Sequence, residues 1–300
     1  MFRVPVTFAF DFHALPDGMR PWVMHEFAVN GAEHLVLTSE LVQQILQNPP
    51  LEKKLMDELA AEGLDFVDSH APFLPGMDFN CPEESFRPKM LRWNRMYLEI
   101  AADMGVDTMT FHIGNIQGLP PADIPFEQHI TNIERTLDAL LPAAEKLGIV
   151  LCMENIWYPT NTPEVLNGLK AKFPTDFLGL CYDAGHANLM VRPVGDPKED
   201  RGVQAWSAIG VNPPPWEEHA LEKMLPHVVN CHLHDNMGWR DFHMNPGTGT
   251  VDWPHIVGLL KRAPRLRSIQ SEVSPFRNLG GKPQAIRDIC DVFLHRLPEM

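Results

Sequence analysis

Eight short, nearly continuous apolar runs punctuate the chain. They are VTFAF (6–10), HLVLT (34–38), DFVDSH (65–70), TMTFH (108–112), VLCME (150–154), LGLCYD (178–183), VVNCHLH (228–234) and SIQSE (268–272). Runs of this length, rich in β-branched residues and with little polar alternation, suit strands buried on both faces, as in parallel sheets. Longer segments with helical spacing separate them, among them WVMHEFAVNGA, LEKKLMDELAAEG, KMLRWNRMYLEIAADMG and HITNIERTLDALLPAAEKLG. Each of these four ends at or near glycine, the usual helix stop. EVLNGLKAKF, ALEKMLPH and WPHIVGLLKRA precede the last three strands, and QAIRDICDVFLHRL follows them.

Eight strand–helix units in 300 residues predict a closed (β/α)8 TIM barrel, read as a single domain over residues 1–300, since that fold needs about 250 residues. No GxGxxG follows the first strand, which argues against a dinucleotide-binding sheet. Two loops rich in Pro and Gly, 72–84 and 191–218, follow strands and are therefore expected at the C-terminal face of the barrel.

Composition narrows the function. No apolar run approaches the roughly 20 residues that span a bilayer, and MFRVPVTFAF reads as a first strand rather than a signal peptide. The five cysteines lack metal-type spacing, and Cys152, Cys181 and Cys231 fall inside strand-like runs, so they read as core residues of a cytoplasmic protein. A formal net charge of −14 argues against nucleic acid, whose binding draws on clustered Lys and Arg, and favours a small-molecule substrate. A homo-oligomer is allowed but not indicated.

Six of the eight strands end in metal-capable residues: His70, His112, Glu154, Asp183 with His186 just beyond, His232 with His234, and Glu272. Asp241 and His243 follow the seventh strand. In a parallel barrel all these ends meet at one mouth. Any one of them has an ordinary structural explanation, but four carboxylates and several imidazoles aimed into one space require a compensating cation. Mixed nitrogen and oxygen donors suit zinc, manganese or cobalt, and one to three ions per chain are expected. Glu154 and Glu272 would face each other across the mouth. Two carboxylates flanking a bound sugar can share removal and return of a proton, with an enediolate stabilised by the metal between the steps.

The motifs FHIGN (111–115), MEN (153–155), GLCYDAGH (179–186), CHLHDN (231–236) and HMNPGTGTVDW (243–253) resemble, in this order, the xylose isomerase-like TIM barrels. These include sugar isomerases and epimerases as well as endonuclease IV-type enzymes, and the likeness runs from SHAPF (69–73) to SEVSP (271–275). For the isomerase and epimerase branch it implies one metal held by Glu154, Asp183, His232 and Glu272, the two Glu doubling as acid/base groups. His186, His70, His112, Arg240 and Trp157 would then contact substrate. His234 competes with His232 for the seventh-strand position, although His232 fits the His-x-x-Asp pattern ending at Asp235. For the endonuclease branch the resemblance implies three zinc ions on His70, His112, Glu154, Asp183, His186, His232, Asp241, His243 and Glu272. The charge balance, and the absence of a basic, Asn/Gln-rich loop in TSELVQQILQNPP, favour the first branch. The expected function is thus a metal-dependent sugar or sugar-phosphate isomerase or epimerase, the alternative being a zinc-dependent apurinic-site endonuclease.

Overall fold

A computed structural model describes residues 2–10, 15–73, 77–114, 124–276 and 282–300. Every apolar run of the sequence forms a strand in it: β1 (Val6–Phe8), β2 (His34–Leu37), β3 (Asp65–His70), β4 (Thr108–Phe111), β5 (Val150–Glu154), β6 (Leu178–Asp183), β7 (Val228–Leu233) and β8 (Ser268–Ser271). All pairings are parallel, and β8 pairs with β1, closing the ring. The fold is therefore a TIM barrel. Several runs outlast their strands. Thr38, for example, leaves the ladder to cap the helix after β2, its hydroxyl accepting from Leu41 N at 3.4 Å.

The helices wrap the outside. They are α1 (Arg20–Val29), α2 (Ser39–Gln47), α3 (Pro50–Glu62), α4 (Arg87–Asp103), α5 (Phe126–Leu147), α6 (Pro163–Lys172), α7 (Ala184–Asn188), α8 (Arg201–Ser207), α9 (Ala220–Met224), α10 (Trp253–Leu260) and α11 (Pro283–Asp291). In α5 the buried Ile133, Leu137, Leu140, Leu141 and Ala144 form one apolar stripe, and Gly148 ends the helix in the left-handed conformation at φ 76°. Such stripes pack on the outward strand residues, including Met109, Phe111, Leu151, Met153, Leu233 and Ile269, to form the main core. Full burial of one such side chain contributes about 2 kcal/mol. Among the described residues no helix is long and apolar enough to cross a membrane.

The lumen carries a polar tier. Asn230 on β7 donates to Thr110 Oγ1 on β4 at 2.9 Å. Thr7 on β1 and Ser268 on β8 both donate to Asp68 on β3, at 2.9 and 3.1 Å. None of these bonds joins strands that are neighbours in the ring, so they cross its interior. Side chains of a strand share a face at every second residue. From this tier, His70, His112, His232, His234 and Glu272 therefore follow into the lumen toward the C-terminal mouth. Burial pushes the Asp68 carboxyl up to about 6, against the opposing pull of its hydroxyl donors and His232.

Two elements escaped the periodicity. Helix α7 begins directly at the end of β6 and holds His186 in its first turn, and α8 lies inside the proline-rich 191–218 loop. Residues 74–76 of the first long loop, Asn115 and His13 lie outside the described residues.

Candidate metal centre

His232 sits at the middle of the mouth, fully buried. Its Nδ1 stands 3.0 Å from Glu154 Oε1 on one side and 2.9 Å from Glu272 Oε1 on the other, with Asp183 Oδ2 at 3.9 Å. Donors bound to one ion at 2.0–2.2 Å stand roughly 3–3.6 Å apart, so His232 stands close to that spacing from each glutamate, with Asp183 somewhat wider. The β6–β7 register brings Asp183 level with His232.

The remaining expected groups surround this centre. His112 Nε2 lies 2.9 Å and His70 Nε2 3.7 Å from Glu154 Oε2. His186 Nδ1 is 3.3 Å from Glu154 Oε1, and its Nε2 is 3.8 Å from Asp241 Oδ2. His243 Nε2 meets Asp241 Oδ2 at 2.8 Å, while its Nδ1 lies 2.9 Å from the Glu272 carbonyl. His234 is present as well: its Nε2 is 3.1 Å from Asp183 Oδ2, and its ring stacks on His243 at 4.1 Å. All nine positions expected from the sequence thus converge, with His234 as a tenth.

Asn155 Oδ1 accepts from Asp183 N at 2.8 Å while its Nδ2 donates to Asp183 O at 2.9 Å, fixing that residue's backbone. Asp183 Oδ1 in turn accepts from His186 N at 2.6 Å, capping α7. Gln270 Nε2 donates to Glu272 Oε1 at 3.1 Å. On the far side of His243, Asp235 collects the turn that follows β7. Its carboxylate accepts from the backbone N–H groups of Gly247, Gly249 and Val251 and from the Trp253 indole, at 2.9–3.2 Å. The second glycine of PGTG is explained here, because a Cβ on Gly249 would stand 2.2 Å from Asn236 O.

The charges are tightly coupled. Burial alone would push the Glu154 and Glu272 carboxyls up. The imidazoles outweigh it, led in each case by His232 and joined by His112 for Glu154 and by His243 for Glu272, and hold both well below their usual range. Burial likewise opposes the charged forms of His232 and His186. For His232 the Cys181 thiol and the Glu272 and Glu154 carboxylates prevail, and for His186 Asp183, Asp241 and Glu154 do, so both imidazoles lie well above 6.5. Desolvation wins at His112, which is lowered.

The donor set fits a divalent cation. His232 Nε2, His234 Nδ1 and Asp241 Oδ1 are buried and have no hydrogen-bond partner among the described residues, a cost that a cation and its ligands remove. Cys181 reaches the Glu154–His232 group, which its place within β6 concealed in the sequence, and burial pushes its thiol up to about 12 against the pull of His232. Trp157 abuts His186 edge-on with ring centroids 4.9 Å apart, and Phe73 packs on His70 and His112. Arg240 is exposed and lies over the Phe242 ring, 5.7 Å from its centroid.

The sequence profile of the xylose isomerase-like TIM barrel family matches residues 26–288. The chain belongs to this family. Solved members of the fold superpose over nearly its whole length. A D-tagatose 3-epimerase-like protein covers 98% of both chains at 20% identity, with a TM-score of 0.71. The 3-keto-D-glucoside 4-epimerase YcjR from E. coli, in its apo form, covers 98% of this chain and 99% of its own at 14% identity, with a TM-score of 0.68. The IolI protein with a bound zinc atom covers 98% of both at 14% identity, with a TM-score of 0.71. At these identities the likeness is one of fold.

Proposed function

We propose that this chain, one domain over residues 1–300, is a divalent-metal-dependent isomerase or epimerase of a sugar or sugar derivative. The observation that carries the reading is the placement of two carboxylates, Glu154 and Glu272, on either side of His232 Nδ1 at 3.0 and 2.9 Å. Glu154, Asp183, His232 and Glu272 would hold one cation, with His232 preferred over His234 because only its ring nitrogen lies within about 3 Å of both glutamates. Zinc, manganese or cobalt suits these donors, and the bound zinc of IolI supports that choice. When bound, the cation supplies positive charge that polarises substrate oxygens and offsets the charge developing on them.

The protein's own groups carry the protons. One glutamate removes a proton from the carbon beside the substrate carbonyl, and the other returns one from the opposite face. Gln270 holds Glu272 in place through its amide N–H. His186, His70 and His112 have ring nitrogens near the same carboxylates and can contact substrate hydroxyls. Trp157 and Phe73 offer apolar ring faces to the C–H surface of a sugar. All five cysteines are buried thiols, which supports a reducing compartment such as the cytoplasm.

Convergence of all nine expected donors also favours binding of more than one ion, as in a phosphodiesterase of the endonuclease IV type. The net charge of −14 supports the small-molecule reading instead. The deciding experiment is incorporation of solvent deuterium into ketoses and aldoses by metal-loaded protein. Exchange should fall by about 10²–10⁴-fold in Glu154→Gln and Glu272→Gln. Undiminished exchange in both variants rejects the acid/base pair.

A further inference from the structure

Beside the donor cluster lies a cavity of about 270 Å³. It starts at His186 and runs between the segment after β5 and the 191–218 loop. Its walls are aromatic: Trp157, Tyr158, Trp206 and Trp216 line it. Three of these, with Ile156, Leu189 and Met190, form a small apolar cluster separate from the main core. Helix α8 brings Trp206 into this cluster, and the indole N–H of Trp206 has no acceptor among the described residues. The opposite end is polar. Lys223 bridges Glu164 at 2.6 Å and also pairs with Glu217.

Size, surface and charge together restrict the occupant. At ~30 Å³ per water the cavity holds roughly nine water-sized groups, about one sugar ring with its hydroxyls. Aromatic faces bind the C–H surfaces of such a ring, while the Glu164 and Glu217 carboxylates and the Thr162 hydroxyl can pair with its hydroxyl groups. A phosphate is disfavoured. The single ammonium, Lys223, is already shared by two carboxylates, and Glu164 sits in the first turn of α6, where an anion would otherwise be welcome. The Thr162 hydroxyl already caps that helix by accepting from Val165 N.

We propose that this cavity is a subsite for a second sugar ring. The substrate is an uncharged glycoside or disaccharide whose reacting ring lies against Glu154 and Glu272 and whose other ring lies among Trp157, Trp206 and Trp216. This deepens the isomerase reading and rests on it for the position of the reacting ring.

The test is calorimetric titration of metal-loaded protein with D-glucose, D-fructose, their 6-phosphates, sucrose, maltose, cellobiose and trehalose. At least one disaccharide should bind about tenfold or more tightly than either monosaccharide, and the phosphates no more tightly than their parent sugars. Trp206→Ala and Trp216→Ala should each narrow the disaccharide advantage to less than threefold. Trp216 is only half-buried, so its variant keeps the test informative if Trp206→Ala does not fold. The proposal is overturned if monosaccharides or phosphates match every disaccharide, if no sugar in the panel binds, or if the folded Trp variants retain the full advantage. The two readings fail separately. Absence of deuterium exchange with every sugar of the panel rejects the isomerase reading, whereas exchange without disaccharide preference rejects only the second-ring subsite.

Discussion

Gly185→Ala offers a test of the packing around the candidate metal centre because two effects predict opposite signs. Gly185 lies within α7, and replacing a helical glycine by alanine normally stabilises by about 1 kcal/mol. Here the added methyl would stand 1.9 Å from His234 Cε1, 2.4 Å from its Nδ1 and 2.6 Å from its Nε2. Carbon atoms in contact are about 3.5 Å apart, so the ring would have to retreat by roughly 1.6 Å. His234 is fully buried, stacked on His243 at 4.1 Å and held to Asp183 at 3.1 Å, so retreat sacrifices one of these contacts. Overpacking of this kind costs about 1–3 kcal/mol, which corresponds to a fall in Tm of about 2–6 °C in a chain of this size. Thermal and urea denaturation measure it. The same substitution made in a His234→Ala background finds open space and should become neutral or stabilising. A rise in Tm for the single variant, or a coupling energy below about 0.5 kcal/mol in the double-mutant cycle, refutes the reasoning.

Asn155→Ala leaves the buried Asp183 N–H and C=O without their side-chain partner, which should cost about 2–4 kcal/mol in stability and 10–100-fold in metal affinity. Chelator competition reads the second effect, and undiminished affinity would mean that strand pairing alone holds Asp183. Gly249→Ala drives a methyl into the Asn236 carbonyl, a backbone atom that cannot swing aside, and should destabilise by about 3 kcal/mol. A loss below 1 kcal/mol by urea denaturation contradicts the packed turn around Asp235. The raised His232 gives a pH signature. In metal-free protein its contribution to stability is complete below the usual value of 6.5 and is lost as pH rises through the raised one. A cation must displace the same proton, so the increase in Tm on adding metal should grow across that window; an increase that is constant with pH argues against His232 as a ligand.

Eight strands were legible because each is a short apolar run bounded by turn residues, and the donors were legible because they sit at the ends of those runs. Spacing along one strand could not choose between His232 and His234, which share a face; the closeness of His232 to both Glu154 and Glu272 depends on residues supplied by other strands. His186 was visible as a residue just beyond β6, but α7 was not, since five residues are too few to display a helical period. The aromatic cavity was hidden for a related reason. Trp157, Trp206 and Trp216 are distant in sequence, and α8 lies in a stretch whose prolines and glycines read as loop. Asp235 was anticipated only as the end of a motif, because its four donors from the turn become neighbours only when the PGTG segment folds back.

Each of the six strands from β3 to β8 delivers at least one donor to the mouth, and β8 meets β1 only when the ring is complete. The centre consequently has no local precursor: no single strand–helix unit contains two facing glutamates and the imidazole between them, which come together only when β5, β7 and β8 are assembled. A captured ion would act as a rivet across strands that are far apart in the polypeptide.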